Sequence, residues 1–240
     1  MPLLSSIASA SVRGFSGYGL SSGATFISAS GGTTADSGNY RYHTFSSSGT
    51  FTVSAAPSGK FIDFIIVAGG GGADSAAAQF AAGGAGGVVE KLAQSISTGS
   101  FTVTIGAGGA FSTSGGNSLF KGETAIGGGR GNSSGVGFSG GSGGGGTSGG
   151  AALQPSSASG GYGYGGSTYG GGGAGSAASG NTGGEAYEST TFGDLYGQGG
   201  SLAADVGVSS RPGGGGGANT DNGVRYASTN GIVIIRYLYQ

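Results

Sequence analysis

Residues 61–72 read FIDFIIVAGGGG, a segment apolar at every position but Asp63 and then a run of glycine. Apolar side chains at odd and even positions alike mark a strand covered on both faces, and Pro57-Ser58-Gly59 just ahead is a turn signal. The expectation is a central, buried strand. Its partner must be another strong β-former, and IVIIRYLY after Gly231, rich in β-branched and aromatic residues, is expected to lie beside it. The two ends of the domain would then close on each other.

Working outward, YRYHTF (40–45) and Phe51-Thr52-Val53 flank a turn-like Ser46 to Gly49 and read as a hairpin. GGVVEKLA (86–93) and SFTVTI (100–105) read as further strands, the second half-exposed with Phe101, Val103 and Ile105 on one face. Residues 1–38 are rich in Ser, Gly and Ala with isolated Phe15, Tyr18 and Phe26, and read as an extended N-terminal arm for attachment or oligomerisation. The expected organisation is therefore arm 1–38, β-framework 39–106 plus 231–240, and glycine-rich domain 107–230.

Of 240 residues 63 are Gly, while Lys+Arg 9 against Asp+Glu 10 leave a net charge of -1. That balance gives no electrostatic footprint for nucleic acid or an anionic membrane, and no run approaches the roughly 18 apolar residues of a membrane-spanning helix. No nucleic-acid partner and no membrane insertion are expected. With no Cys there is no disulfide framework or thiolate metal site. The N-terminus lacks a basic region ahead of its apolar stretch, so a role outside a cell implies another exit, such as lysis.

Glycine at this level usually means disorder, because it loses the most backbone entropy and buries no side chain. The 11 Tyr and 12 Phe argue that something packs. Residues 131–184 contain no Lys, Arg, Asp or Glu, so charge does not hold this span open. Collagen is excluded, since no Gly-X-Y period occurs and the chain has only 4 Pro. A flexible linker and a stack of short β-hairpins remain as alternatives to the favoured reading, a bundle of polyproline-II-like glycine segments. Such helices have no internal hydrogen bonds, but without Cβ atoms they approach closely enough for N–H and C=O to pair between neighbours. The expected fold class is mainly β: a small β-sandwich framework plus packed polyglycine (polyproline-II-like) helices in an irregular glycine-rich region.

The order FIDFIIVAGGGG, GGAGGVVE, FTVTIGAGGA, GGNSLF, repeated glycine blocks and NGIVIIRY resembles the glycine-rich domain of bacteriophage tail-fibre and adhesin proteins over about residues 45–238. SASVRGFSGYGL (9–20) is similar to short Arg-Gly-Phe openings of phage virion proteins. The resemblance implies a virion protein, extracellular after lysis, whose partners are other virion subunits and a host surface glycan or outer-membrane protein. It implies a homo-oligomer, with a trimer as the family-level form. In this sequence the corresponding loops are GYGYGGSTYG (161–170) and AYESTTFGDLY (186–196), whose Tyr162, Tyr164, Tyr169, Tyr187, Phe192 and Tyr196 are the receptor-binding candidates. The alternative for each aromatic is to cap the glycine layer against water.

Catalytic groups are scarce. His43, the one histidine, falls in YRYHTF where alternation groups it with Arg41 and Phe45, a structural position. The carboxylates are scattered; Glu185, Glu188 and Asp194 come nearest to a Ca²⁺ or sugar site, with an exposed loop as the plainer reading. No catalytic residue, metal site or cofactor is expected, and the chain is read as a non-enzyme. The rival readings are a purely structural capsid, collar or tail decoration, and an ice-binding protein, which lacks its regular Thr or Ala array.

Overall fold

The computed structural model describes residues 25–74, 80–154, 160–202, 211–217 and 224–240. The first 24 residues of the expected arm lie outside them. Two antiparallel sheets pack over one core. The first takes the order β1-β4-β7-β8-β9, with β1 Ser28–Ser30, β4 Gly49–Ala55, β7 Gly99–Thr104, β8 Ser118–Phe120 and β9 Glu123–Ala125. The second takes the order β10-β6-β5-β13-β3-β2, with β10 Gly161–Tyr162, β6 Val88–Ser95, β5 Phe61–Val67, β13 Ile232–Leu238, β3 Tyr40–Phe45 and β2 Thr33–Ser37. A separate hairpin joins β11 Tyr187–Ser189 to β12 Asp194–Tyr196. No α-helix occurs among the described residues, so the fold is mainly β as expected.

Strand β5 sits between β6 and β13, with Phe64 opposite Ile235 and Asp63 opposite Arg236. Its even-numbered side chains, Ile62, Phe64 and Ile66, join Phe51, Val103, Phe120 and Val233 in the core between the sheets. Ile65 and Val67 face the other way and meet Tyr196 of the β11–β12 hairpin. That explains why the segment is apolar on both faces. Asp63 on the outer face is matched twice: one oxygen accepts Arg236 Nε at 2.9 Å and the other accepts the Ala93 backbone N–H at 2.8 Å. Ala93 takes a positive φ of 51° where the β5–β6 register shifts, so the carboxylate stabilises the bulge.

The hairpin expected between residues 40–45 and 51–53 does not form. Strand β3 pairs with β2 and β13, whereas β4 pairs with β1 and β7 in the other sheet. The chain crosses between sheets at residues 46–48 because β13 offers β3 a full-length apolar partner, and the core is filled from both sides at once. The hairpin actually present is β2–β3, turned by Gly38-Asn39 with Gly38 at φ 56° and pinned by a two-pronged Arg41–Asp36 pair at 2.8 and 2.9 Å. Residues 28–37, read as arm, are thus strands. His43 is fully buried beside it: its ring lies between the Gly31 carbonyl at 2.7 Å and the Tyr237 hydroxyl at 3.0 Å. A carbonyl only accepts, so Nδ1 carries the proton and Nε2 receives the Tyr237 hydrogen. Burial pushes the His43 pKa below its ordinary value, in keeping with a neutral structural imidazole.

The glycine runs leave the sheet ends and bind one another through the backbone. From residue 68, the N–H groups of Ala68, Gly71 and Asp74 reach the carbonyls of Gly87, Gly84 and Ala81, those of Gly69 and Gly72 reach Gly116 and Thr113, and that of Gly70 reaches Thr229. Every third residue therefore addresses the same neighbour. Residues 82–87 repeat the rule: Ala82 and Ala85 bond Tyr169 and Gly172, Gly83 and Gly86 bond Gly216 and Gly213, and Gly84 and Gly87 bond Gly129 and Ile126. A Cβ on Gly71 would run into the Gly129 carbonyl and stand 2.8 Å from the Gly128 oxygen. Only glycine fits at such a crossing. The framework and glycine region also interlock more than expected, since β8 and β9 fall within 107–230 while residues 68–87 belong to the glycine network.

Candidate functional site

Register locates the far end of the glycine network. Ala68 pairs with Gly87 beside the sheets and Asp74 pairs with Ala81, so Asp74 and Phe80 lie at the end away from the framework. Asp74 ties two turns together there, accepting the Ser133 N–H at 2.7 Å, the Ser133 hydroxyl at 2.5 Å and the Ser112 hydroxyl at 3.2 Å. Parallel bridges from Asn132 to Gly146 and from Gly146 to Thr168 bring further turns to the same level. Phe80 and Tyr169 pack against Ala82 and Leu202. Tyr169 is held at a φ of 64°, which a side-chain-bearing residue rarely adopts, while its carbonyl accepts the Ala82 N–H.

Above these turns the end carries exposed apolar groups, Phe111, Val136 and Val224. Arg225 lies beside two of the aromatic rings, its guanidinium carbon 5.3 Å from the Phe80 ring centre and 5.9 Å from that of Phe111. Cation and ring faces together make recognition chemistry, offering stacking area and a charge in one place. The tip is therefore the candidate site.

The six aromatic candidates from the sequence divide. Tyr196 is fully buried, and Tyr162, Tyr187 and Phe192 pack beside it against Ile65, Val67, Ile232 and Ile234 on the outer face of the second sheet. Tyr162 and Tyr187 stack at 3.9 Å, and the Tyr187 hydroxyl donates to Glu90 at 2.8 Å. Burial, then the hydrogen bonds to Tyr162 and Glu90, pushes the Tyr187 phenol above its usual range; burial does the same at Tyr196. Arg236 clips the hairpin down, donating to the Thr191 carbonyl at 2.7 Å with its guanidinium carbon 5.5 Å from the Phe192 ring centre. These four cover the sheet, and a buried Tyr196 offers a receptor nothing; as a receptor contact it is corrected to a capping residue. Tyr164 is exposed, and Tyr169 alone of the six reaches the tip.

Sequence reasoning missed Phe80, Phe111 and Arg225. The signal available was that each stands in a segment linking one glycine-rich stretch to the next, Phe80 within 73–82, Phe111 after Gly109 and Arg225 within 218–230. Glu185, Glu188 and Asp194 are exposed, and no group of three or more His, Cys, Asp or Glu among the described residues could hold a metal ion.

No curated protein matches the sequence significantly. A family model described as a glycine-rich domain matches residues 44–238, from within β3 to the end of β13, and so spans both the framework and the glycine network. The chain belongs to this glycine-rich domain family.

Proposed function

We propose that this chain is a phage virion protein, a tail-fibre or tail-tip component, whose glycine-rich region holds recognition loops out toward the host cell surface. The glycine runs are polyproline-II-like helices packed side by side. What supports that finer reading is the period of three in their hydrogen bonds, since a helix with three residues per turn points every third N–H the same way. The single observation that carries the functional reading is the tip: segments separated widely in sequence converge at the end opposite the sheets and carry exposed Phe111, Val136 and Val224, with Arg225 beside Phe111. Exposed apolar groups gathered at one end of a molecule mark an interaction site. The N-terminal segment serves attachment to other virion subunits and assembly of a homo-oligomer, as a trimer.

The test is adsorption. Fluorescently labelled protein is applied to a panel of bacterial strains, with the Phe80→Ala/Phe111→Ala double variant alongside. Selective labelling of some strains, reduced about tenfold or more in the double variant, is the expected result. Absence of labelling on every strain, together with localisation of the subunit to the capsid or collar by cryo-electron microscopy, would replace this reading with the decoration role.

A further inference from the structure

Among the described arginines, Arg225 is the one whose Nε is buried without a hydrogen-bond partner. Arg41 and Arg236 are committed to Asp36 and Asp63 at 2.8 and 2.9 Å, and Arg130 lies over the Phe138 ring at 3.6 Å with Phe138 beside it in the glycine network. Arg225 takes part in no ion pair among the described residues, and its Nε is buried without a hydrogen-bond partner. A buried donor left unpaired is costly, and no carboxylate among the described residues forms an ion pair with this guanidinium, so its charge is left for a partner to match. Asp74, at the same end of the network, accepts from Ser112 and Ser133.

We propose that Arg225, Phe80 and Phe111 form a binding site for an acidic saccharide, a sugar ring carrying a carboxylate. This deepens the recognition role given to the tip and rests on it. Two phenyl rings flank the guanidinium, and Phe111 is 43% exposed, so one ring face is open to a ligand while the charge stays within reach. The apolar C–H face of a pyranose stacks on such a ring, and a carboxylate on the same pyranose meets the planar fork of donors on Arg225. Partial burial strengthens that pair relative to one in open water. A neutral sugar would leave the guanidinium charge unmatched, and a free anion would leave the rings uncovered. Each half of the site thus selects against one class of wrong ligand.

The experiment titrates the full chain with trigalacturonate, with the neutral trisaccharide of galactose and with inorganic phosphate, read by calorimetry and by the ¹⁵N shift of the Arg225 side chain. Trigalacturonate is expected to bind at least about tenfold more tightly than either of the others, and to lose about tenfold in Arg225→Gln. Phe111→Ala is expected to weaken it several-fold with an unchanged melting temperature, since Phe111 lies in an exposed turn. Equal binding of charged and neutral trisaccharides, binding of phosphate as tight as trigalacturonate, or no effect of Arg225→Gln would overturn the site. Cell adsorption is scored separately: sugar binding lost in Arg225→Gln with adsorption intact keeps this site and removes its link to the receptor. No binding of trigalacturonate by a chain that still adsorbs to cells sinks the site and leaves the receptor role.

Discussion

Gly71→Ala is expected to destabilise the protein by about 3 kcal/mol or more, lowering its melting temperature by roughly 6–12 °C. Gly71 donates to Gly84 and accepts from Gly216, both close to 2.9 Å, and its added methyl would collide with the Gly129 carbonyl. Backbone cannot rotate aside as a side chain does. Either the segments part and buried hydrogen bonds are lost, or the collision stands. Gly165→Ala is the matched control. Its methyl would meet nothing nearer than the Gly150 oxygen at 3.5 Å, so the change should be neutral or stabilise by about 0.4–1 kcal/mol through a less flexible unfolded chain. Thermal unfolding of the two variants side by side checks this, and equal melting temperatures would mean the glycine segments are not packed as described.

The second large effect separates capping from recognition. Tyr196→Ala is expected to cost about 3–5 kcal/mol, because it removes the fully buried ring that seats the β11–β12 hairpin on Ile65, Val67 and Val88. Tyr164→Ala, at an exposed position, should change stability by less than about 0.5 kcal/mol. Denaturant unfolding measures both. A Tyr196→Ala variant that unfolds like the parent but no longer adsorbs to cells would return Tyr196 to the receptor surface and undo its assignment here.

Much of the framework was legible. The run at 61–67 announced a strand covered on both faces, and the C-terminal strand could be paired with it from β-forming character alone. Asp63 was visible as an odd polar residue, but its partners were not, because Arg236 reaches it only through the β5–β13 register and Ala93 only through a bulge. The β2–β3 hairpin carries a signal of its own: Gly38-Asn39 between Asp36 and Arg41 is a two-residue turn with a cross-strand charge pair. Instead Ser46 to Gly49 drew the hairpin, since a local turn signal does not reveal that a distant strand such as β13 will take the same edge.

The site was harder to see. GYGYGGSTYG attracted attention by its tyrosine density, yet Tyr162 lies on β10 against β6 and is stacked into the hairpin cluster. Phe80, Phe111 and Arg225 are single residues in three separate segments of the sequence. They meet because the glycine runs on either side of them are hydrogen-bonded to one another. That convergence follows from the spacing of the hydrogen bonds between runs, and not from any local motif.

All of this depends on the glycine runs being one hydrogen-bonded body and not a flexible linker between strands. Amide hydrogen exchange resolved at individual glycines tests it most directly, at Gly71, Gly84, Gly129 and Gly172, each of which donates to a carbonyl on a neighbouring run of the network. These amides should exchange about 10³-fold or more slowly than in an unfolded chain, alongside those of β5, because they open only when the domain opens. Exchange of the four at unfolded-chain rates while β5 stays protected would contradict the account.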